Sequence, residues 1–343
     1  MSKALTTQRG RISLAHGNGG RRMRELILEV FARRLANPHL DTDNDAATVP
    51  VEGDSILMTT DGFTVQPLEF PGGDIGTLAV YGTVNDLAVA GAVPRYLCLN
   101  VFVEEGFEIA RLARIIESTA TAAHESGVAI VTGDTKVLPH GGCDGLFLAT
   151  SGVGVRRAGF SLGMHAIVAG DAILVSGPIG DHGTAIMLAR EQFGLHGDLN
   201  SDCANVTPLA AVPCDLPDPT ALRFMRDPSR GGLACVLHEI ATRTGLGMQI
   251  DEASVPVRPS VRAVCEMLGF DPYYLACEGR VVAVIATEVA EELLRRWRAL
   301  PQGRDAAIIG RMVADTSQVE LHTAIGGRRL IEELEDDPLP RIC

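Results

Sequence analysis

Four short segments place an aspartate where an apolar run meets a glycine or a polar turn. They are Asn44-Asp45-Ala46-Ala47, Thr60-Asp61-Gly62, Val84-Asn85-Asp86-Leu87 and Thr132-Gly133-Asp134-Thr135-Lys136. Magnesium takes hard oxygen ligands, keeps several waters and bridges to phosphates, so carboxylates converging from separate segments would build such a site. A single Asp beside Gly is as readily a turn former or a cap. Asp86 resists that alternative, because it lies within an otherwise apolar helical stretch where an unpaired charge is costly. The run His16-Gly17-Asn18-Gly19-Gly20 precedes a helix. Its glycines let backbone N–H groups face an anion, and a helix N-terminus favours negative charge. It fits neither the Walker pattern nor G-x-G-x-x-G in context, and a plain flexible loop is the alternative. Arg226-Asp227-Pro228-Ser229-Arg230-Gly231-Gly232 reads as a second anion site or as a helix entry. Glu278, flanked by apolar residues just before a strand, reads as a buried acid fit for proton transfer or as a salt-bridged structural acid. Cys343 is the last residue of the sequence. It is either an incidental thiol or an exposed, reactive one on a tail that can move between sites.

These residues need elements to hold them. Met23, Leu26, Ile27, Val30, Phe31 and Leu35 repeat at helical spacing, and Pro38 stops that helix. Ser55–Thr60 alternates as a strand does, while 75–91 is apolar nearly all round and predicts a buried helix carrying Asn85 and Asp86. Strands are expected at 95–103, 128–131 and 146–155, with an amphipathic helix at 108–126 between the first two. Glycines and basic residues cluster at 156–170, and a fresh strand starts at Ala172. The second half predicts helices near 181–193, 231–244, 258–268 and 288–299. Its strands are expected at 247–251, 280–286 and 306–313, with a hairpin over 318–330 turning at Gly326-Gly327. Both halves mix helices and strands without a strict βαβ rhythm, so the fold class is α+β. The expected domains are residues 1–38 (glycine-rich loop and helix), 39–160 (nucleotide-binding and dimerisation domain), 161–331 (second α+β domain) and 332–343 (an extended, flexible tail carrying Cys343).

Composition removes several function classes. A net charge of −13 with 4% aromatic residues argues against nucleic acid as a partner. None of the eight cysteines forms a Cys-x-x-Cys pair, and their scatter fits reduced thiols in the cytoplasm. No apolar run is long enough to span a bilayer, and residues 1–11 lack the apolar core of a signal peptide.

Taken together, HGNGG at 16–20, the block TTDGFTVQPLEFPGGDIGTLAVYGTVNDLAVAGAVP at 59–94, GDTKV at 133–137, MRDPSRGG at 225–232, LACEG at 275–279 and PRIC at 340–343 resemble the HypE family of hydrogenase maturation proteins. That family is related to aminoimidazole ribonucleotide synthetase and selenophosphate synthetase. The resemblance spans essentially the whole chain; the 59–94 block and the terminal PRIC are its most specific parts. Asn18 and Cys143 depart from it in stretches that favour glycine. The resemblance implies a first domain that contributes strands to the barrel of a homodimer, with a second α+β domain beside it. It implies ATP and Mg2+ as cofactors, and HypF as the donor of a carbamoyl group to Cys343. The group is then dehydrated to a cyano group and passed to iron on a HypC–HypD scaffold, for nickel–iron hydrogenase. By the same resemblance Asp45, Asp61, Asp86 and Asp134 would organise Mg-ATP, with Asp45, Asp86 and Asp134 on the metal. Gly17, Gly19 and Gly20 would close over the phosphates. Lys136 would steady the phosphoryl group or act as a base, Glu278 would handle protons, and Asn85 would orient the carboxamide or a phosphate. A synthetase acting on a free small molecule and a non-catalytic thiol carrier are the competing functions.

Overall fold

The computed structural model describes residues 11–13, 16, 25–40, 55–158, 162–190, 194, 197–333 and 342–343. Asp45, Gly17, Gly19, Gly20 and Arg341 lie outside the described residues. The first half holds a four-stranded sheet. It is built from β1 (Ile56–Phe63), β2 (Ala92–Glu104), β3 (Ala129–Leu138) and β4 (Leu146–Arg156), in the order β1-β4-β2-β3. Strand β4 alternates buried and half-buried residues along its length, so one face of the sheet is in the core. That face is covered by α1 (Ile75–Val89) and α2 (Ile109–Glu125).

Helix α1 is buried on nearly every side, as its apolar sequence requires. A capping box starts it: the Asp74 carboxylate accepts from the Thr77 backbone N–H at 2.9 Å, and the Asp74 N–H donates to the Thr77 hydroxyl at 3.0 Å. The expected helix over 23–35 contains a π-helical turn at Ile27–Ala32.

The second half is a seven-stranded sheet of β5 (Ala172–Val175), β6 (Leu222–Arg226), β7 (Gly247–Asp251), β8 (Val282–Ile285), β9 (Ala307–Val313), β10 (Val319–His322) and β11 (Arg328–Leu330). The order is β11-β10-β7-β9-β5-β8-β6. Helices α3 (Asp181–Ala189), α4 (Gly232–Thr244), α5 (Pro259–Leu268) and α6 (Thr287–Arg298) accompany it.

Two strand expectations change, and both matter for the site. The strand expected at 128–131 runs on to Leu138, and β1 runs past Thr60 to Phe63. Asp61, Asp134 and Lys136 therefore lie within strands and not at turns. Backbone pairing with β4 and β2 overrides the turn preference of Asp-Gly and Gly-Asp. Strand β6, which leads into the Arg226–Gly232 segment, had no counterpart in the sequence reading.

One core cluster crosses between the halves, joining Phe63, Leu78 and Ile115 to Ile186, Leu199, Leu275 and Ile342. The joint is also polar. The buried Asn85 amide donates to the carbonyls of Ala204 (3.0 Å) and Glu278 (3.3 Å) and accepts from the Val206 N–H at 2.9 Å.

Candidate functional site

The edge strand β1, the C-terminal part of α1 and two loops of the second half meet at one cleft. The loop after β6 enters α4 through Gly231, whose φ of 74° is the left-handed conformation that glycine adopts without strain. It is tied to the second loop by the Cys277 N–H, which donates to the Pro228 carbonyl at 3.0 Å. In that second loop a β-carbon on Gly279 would collide with the carbonyl of Asp202, so only glycine lets the backbones approach. Glu278 is held beside it. Its N–H donates to Asp202 Oδ1 at 3.1 Å, and the Asp202 carboxylate lies 3.3 Å from Arg280 Nε. Arg280 also pairs with Asp181, which Arg258 holds at 2.8 Å.

Carboxylates collect around this cleft. Asp86 accepts from the Thr59 hydroxyl at 2.9 Å. Burial raises its pKa, while Thr59 and Arg226 oppose the rise. Burial, reinforced by the Asp86 and Asp61 charges, pushes Asp227 up to about 7. Burial and the neighbouring Asp86 raise Asp61, against a backbone N–H and Arg230. Glu278 is pushed well above the usual carboxylate range by burial first and then by Asp227, Asp202, Asp61 and Asp86. Its Oε1 is buried without a hydrogen-bond partner. Each of these carboxylates disfavours ionisation of its neighbours. Beside them opens a cavity of about 520 Å³. Leu57, Leu87 and Phe224 line its apolar wall, and Thr59, Asp86, Arg226 and Asp227 its polar side.

Cys343 enters the same cleft. Its main-chain oxygen accepts from the Thr64 N–H at 3.0 Å and from the Thr64 hydroxyl at 3.2 Å. Its Sγ lies 3.7 Å from an Arg230 guanidinium nitrogen. Burial first, and then the Glu278 charge, push the thiol up to about 12, against the pull of Arg230. Ile342 is 3% exposed, and its carbonyl accepts from His182 Nε2 at 2.8 Å.

Asp61, Asp86, Glu278 and Cys343 are thus brought together. Asp134 and Lys136 are not brought to them within one chain. They form a 2.8 Å ion pair with each other on β3, at the sheet edge opposite β1. Three strand spacings separate the two edges, roughly 14 Å. The Lys136 ammonium holds Asp134 below the usual carboxylate range. Asn85 faces the domain joint with its amide already hydrogen-bonded. Asp227, Arg230, Asp202 and His182 complete the site; the first two lie in the Arg226–Gly232 run that reads in sequence as an anion site or a helix entry, and the last two carried no local signal.

Burial lowers the pKa of His182 to about 4, with the Ile342 carbonyl opposing the shift. The unfolded chain therefore takes up this proton near pH 6.5 while the folded chain refuses it. Stability from His182 is intact above pH 6.5 and declines as pH falls toward 4, by about 3 kcal/mol. Urea unfolding of wild type and His182→Gln at several pH values should show the decline flattened in the variant.

Comparison with known proteins agrees with this architecture. Residues 43–156 match the N-terminal domain, and residues 168–322 the C-terminal domain, of AIR synthase related proteins. The fold is therefore that of a two-domain AIR synthase related protein. The carbamoyl dehydratase HypE of Azotobacter vinelandii is 49% identical over 341 residues, covering 99% of both chains. A crystal structure of the hydrogenase maturation protein HypE in complex with ATP superposes with a TM-score of 0.91 at 43% identity, covering 96% of this chain and 99% of the other. The crystal structure of a HypE–HypF complex gives 0.79 at 43% identity, covering 90% and 99%. The chain belongs to the HypE family, the carbamoyl dehydratases of hydrogenase maturation.

Proposed function

We propose that this chain dehydrates an S-carbamoyl group carried on Cys343 to an S-cyano group, using ATP, to supply the cyanide ligand of hydrogenase iron. The balance is Cys343–S–C(=O)NH2 and ATP giving Cys343–S–C≡N, ADP and phosphate. The carboxamide oxygen leaves on phosphate and both N–H protons leave the nitrogen. The observation that carries this reading is the seat of the Cys343 thiol, beside Arg230 and within the field of Glu278 and Asp61. A thiol held there presents whatever it carries to a buried acid and a cation, next to a cavity in the size range of small-ligand pockets. A synthetase acting on a free small molecule would have no need of this seat.

The cavity suits ATP, with the base against Leu57, Leu87 and Phe224 and the phosphates toward Asp86 and Asp227. Hard oxygen donors fit Mg2+, which takes one or two carboxylates and completes its shell with water and phosphate. Among the described residues no group of three His, Cys, Asp or Glu forms a ready-made metal cage. Asp61 and Asp86 are the residues of this cleft that would hold it. Bound there, Mg2+ would neutralise phosphate charge.

Asp134, Lys136 and Asp45 enter this reading through a second copy of the chain or through residues beyond those described. The outward face of the first sheet exposes Ile56 and Met58, and among the described residues β1 and β3 have no strand paired on their outer edges. A homodimer that pairs these edges into a barrel would bring Asp134 and Lys136 of one copy toward Asp61 of the other. HypF as carbamoyl donor fits the HypE–HypF complex known for a relative. A HypC–HypD scaffold as acceptor, and a cytoplasmic setting for eight free thiols, complete the proposal. No helix among the described residues is long and apolar enough to cross a membrane.

Asp86→Asn removes charge and keeps shape. It should weaken Mg-ATP binding by roughly 10–100-fold, the loss of one charge-assisted contact of ~1.5–3 kcal/mol. Titration calorimetry with and without Mg2+ checks this, and unchanged magnesium-dependent binding would move the nucleotide elsewhere.

A further inference from the structure

We propose that His182 and Ser201 form a latch that positions Cys343 for dehydration; this rests on the reading of Cys343 as the residue that carries the reacting group. The latch is a directed chain of hydrogen bonds. The Cys203 N–H donates to Ser201 Oγ at 3.0 Å, which leaves the Ser201 hydroxyl proton free to point at His182 Nδ1, 2.7 Å away. With Nδ1 accepting, the neutral ring carries its proton on Nε2, and that N–H donates to the Ile342 carbonyl at 2.8 Å. The ring is 0% exposed and stands edge-on to Phe70, with centroids 5.5 Å apart.

A tail held only by its apolar side chain needs no imidazole in the core. Ile342 is already buried, and a polar ring there is costly unless its nitrogens are bonded. What the ring adds is direction. His182 grips the Ile342 carbonyl from the second half, and Thr64 grips the next main-chain oxygen from the first half. With two successive main-chain oxygens fixed from opposite sides, the Cys343 side chain keeps little freedom beyond rotation about its own Cα–Cβ bond. The sulfur is thereby aimed at Arg230 and Glu278, and a carboxamide on it is oriented with it. His182 is not one of the residues lining the cavity, and its hydrogen bond goes to the Ile342 main chain, so it acts through the tail as a positioning residue.

The test separates loading from dehydration. Cys343 is loaded by HypF with its carbamoyl donor, Mg-ATP is added, and intact mass follows free thiol, carbamoyl and cyano forms in a single turnover. His182→Phe should load as fast as wild type or faster, and its free Cys343 should be alkylated severalfold faster by iodoacetamide. Its conversion to the cyano form should fall by roughly 10–100-fold, as expected for a misplacement of about 1 Å. His182→Gln, whose amide N–H reaches the same carbonyl, should recover most of the rate. Dehydration at the wild-type rate in His182→Phe overturns the latch, and so does an equal loss of loading and dehydration, which marks a merely structural ring. Wild-type protein that takes no carbamoyl group on Cys343 overturns the underlying reading instead. If His182→Phe does not fold, Ser201→Ala, read on the same split between loading and conversion, decides.

Discussion

Cys343→Ala should fold as wild type does and accept no carbamoyl group. Its main-chain oxygen still meets Thr64, Ile342 keeps its buried place, and the side chain lost is a half-buried thiol, so the expected change in stability is within ~1 kcal/mol. The chemical loss should be complete: Cys203 also lies within the field of Glu278, but burial raises the pKa of its thiol well above the usual range. Cys265 and Cys277 are buried, and burial raises the pKa of both. Burial in its seat, and then the Glu278 charge, push the Cys343 thiol itself up to about 12, so it is protonated and a poor nucleophile near neutral pH. Loading by HypF is therefore expected with the tail out of its seat, in water, where burial no longer holds the proton on the sulfur. Once carbamoylated, the sulfur carries no proton, and the seat no longer penalises it. Intact mass after incubation with HypF and its carbamoyl donor should show the adduct on wild type and none on Cys343→Ala. An adduct mapped by peptide digestion to any of the other seven cysteines would sink the assignment.

The parts of this site that could be read from sequence are those whose signal is local. The helix holding Asn85 and Asp86 was legible because fifteen residues that are apolar nearly all round have only the core to go to. The hairpin at Gly326-Gly327 and the strand at 247–251 were legible from turn chemistry and alternation. Asp61 and Asp134 were misplaced at turns because Asp-Gly and Gly-Asp are common there. Nothing local says that a neighbouring strand will pair through them. Their separation to opposite sheet edges is set by strand order, which no spacing encodes. The latch is the extreme case. His182 meets the tail across 160 residues and Thr64 meets it across 279, so neither contact leaves a pattern along the chain. An extended tail able to move between sites was legible, whereas the seat for its last two residues is a tertiary fact.

Glu278→Gln should load normally and fail to dehydrate. The reaction strips two protons from one nitrogen while oxygen departs, and a buried cleft offers little water to take them. Lys136 sits on the far sheet edge in an ion pair with Asp134, so within one chain Glu278 is the nearer acceptor. The residue is 4% exposed, its Oε1 has no hydrogen-bond partner among the described residues, and the Cys343 thiol lies within its field. Burial and the surrounding acids raise its proton affinity well above that of a solvated glutamate, which makes its ionised form a stronger base. The same shift dictates the pH dependence. A base must be ionised to act, so the single-turnover rate should climb with pH, with a midpoint well above 4.5. Glutamine matches the shape and keeps the main-chain bonds to Asp202 and Asn85, but it cannot accept a proton. The expected loss in dehydration is roughly 10²–10⁴-fold, the usual scale for a general base, with the pH dependence flattened. Loading by HypF and binding of Mg-ATP should stay within a few-fold of wild type, since neither uses that proton. If Glu278→Gln turns over within a few-fold of wild type and keeps the same pH profile, the base is elsewhere, and Lys136 from a second copy of the chain becomes the residue to test.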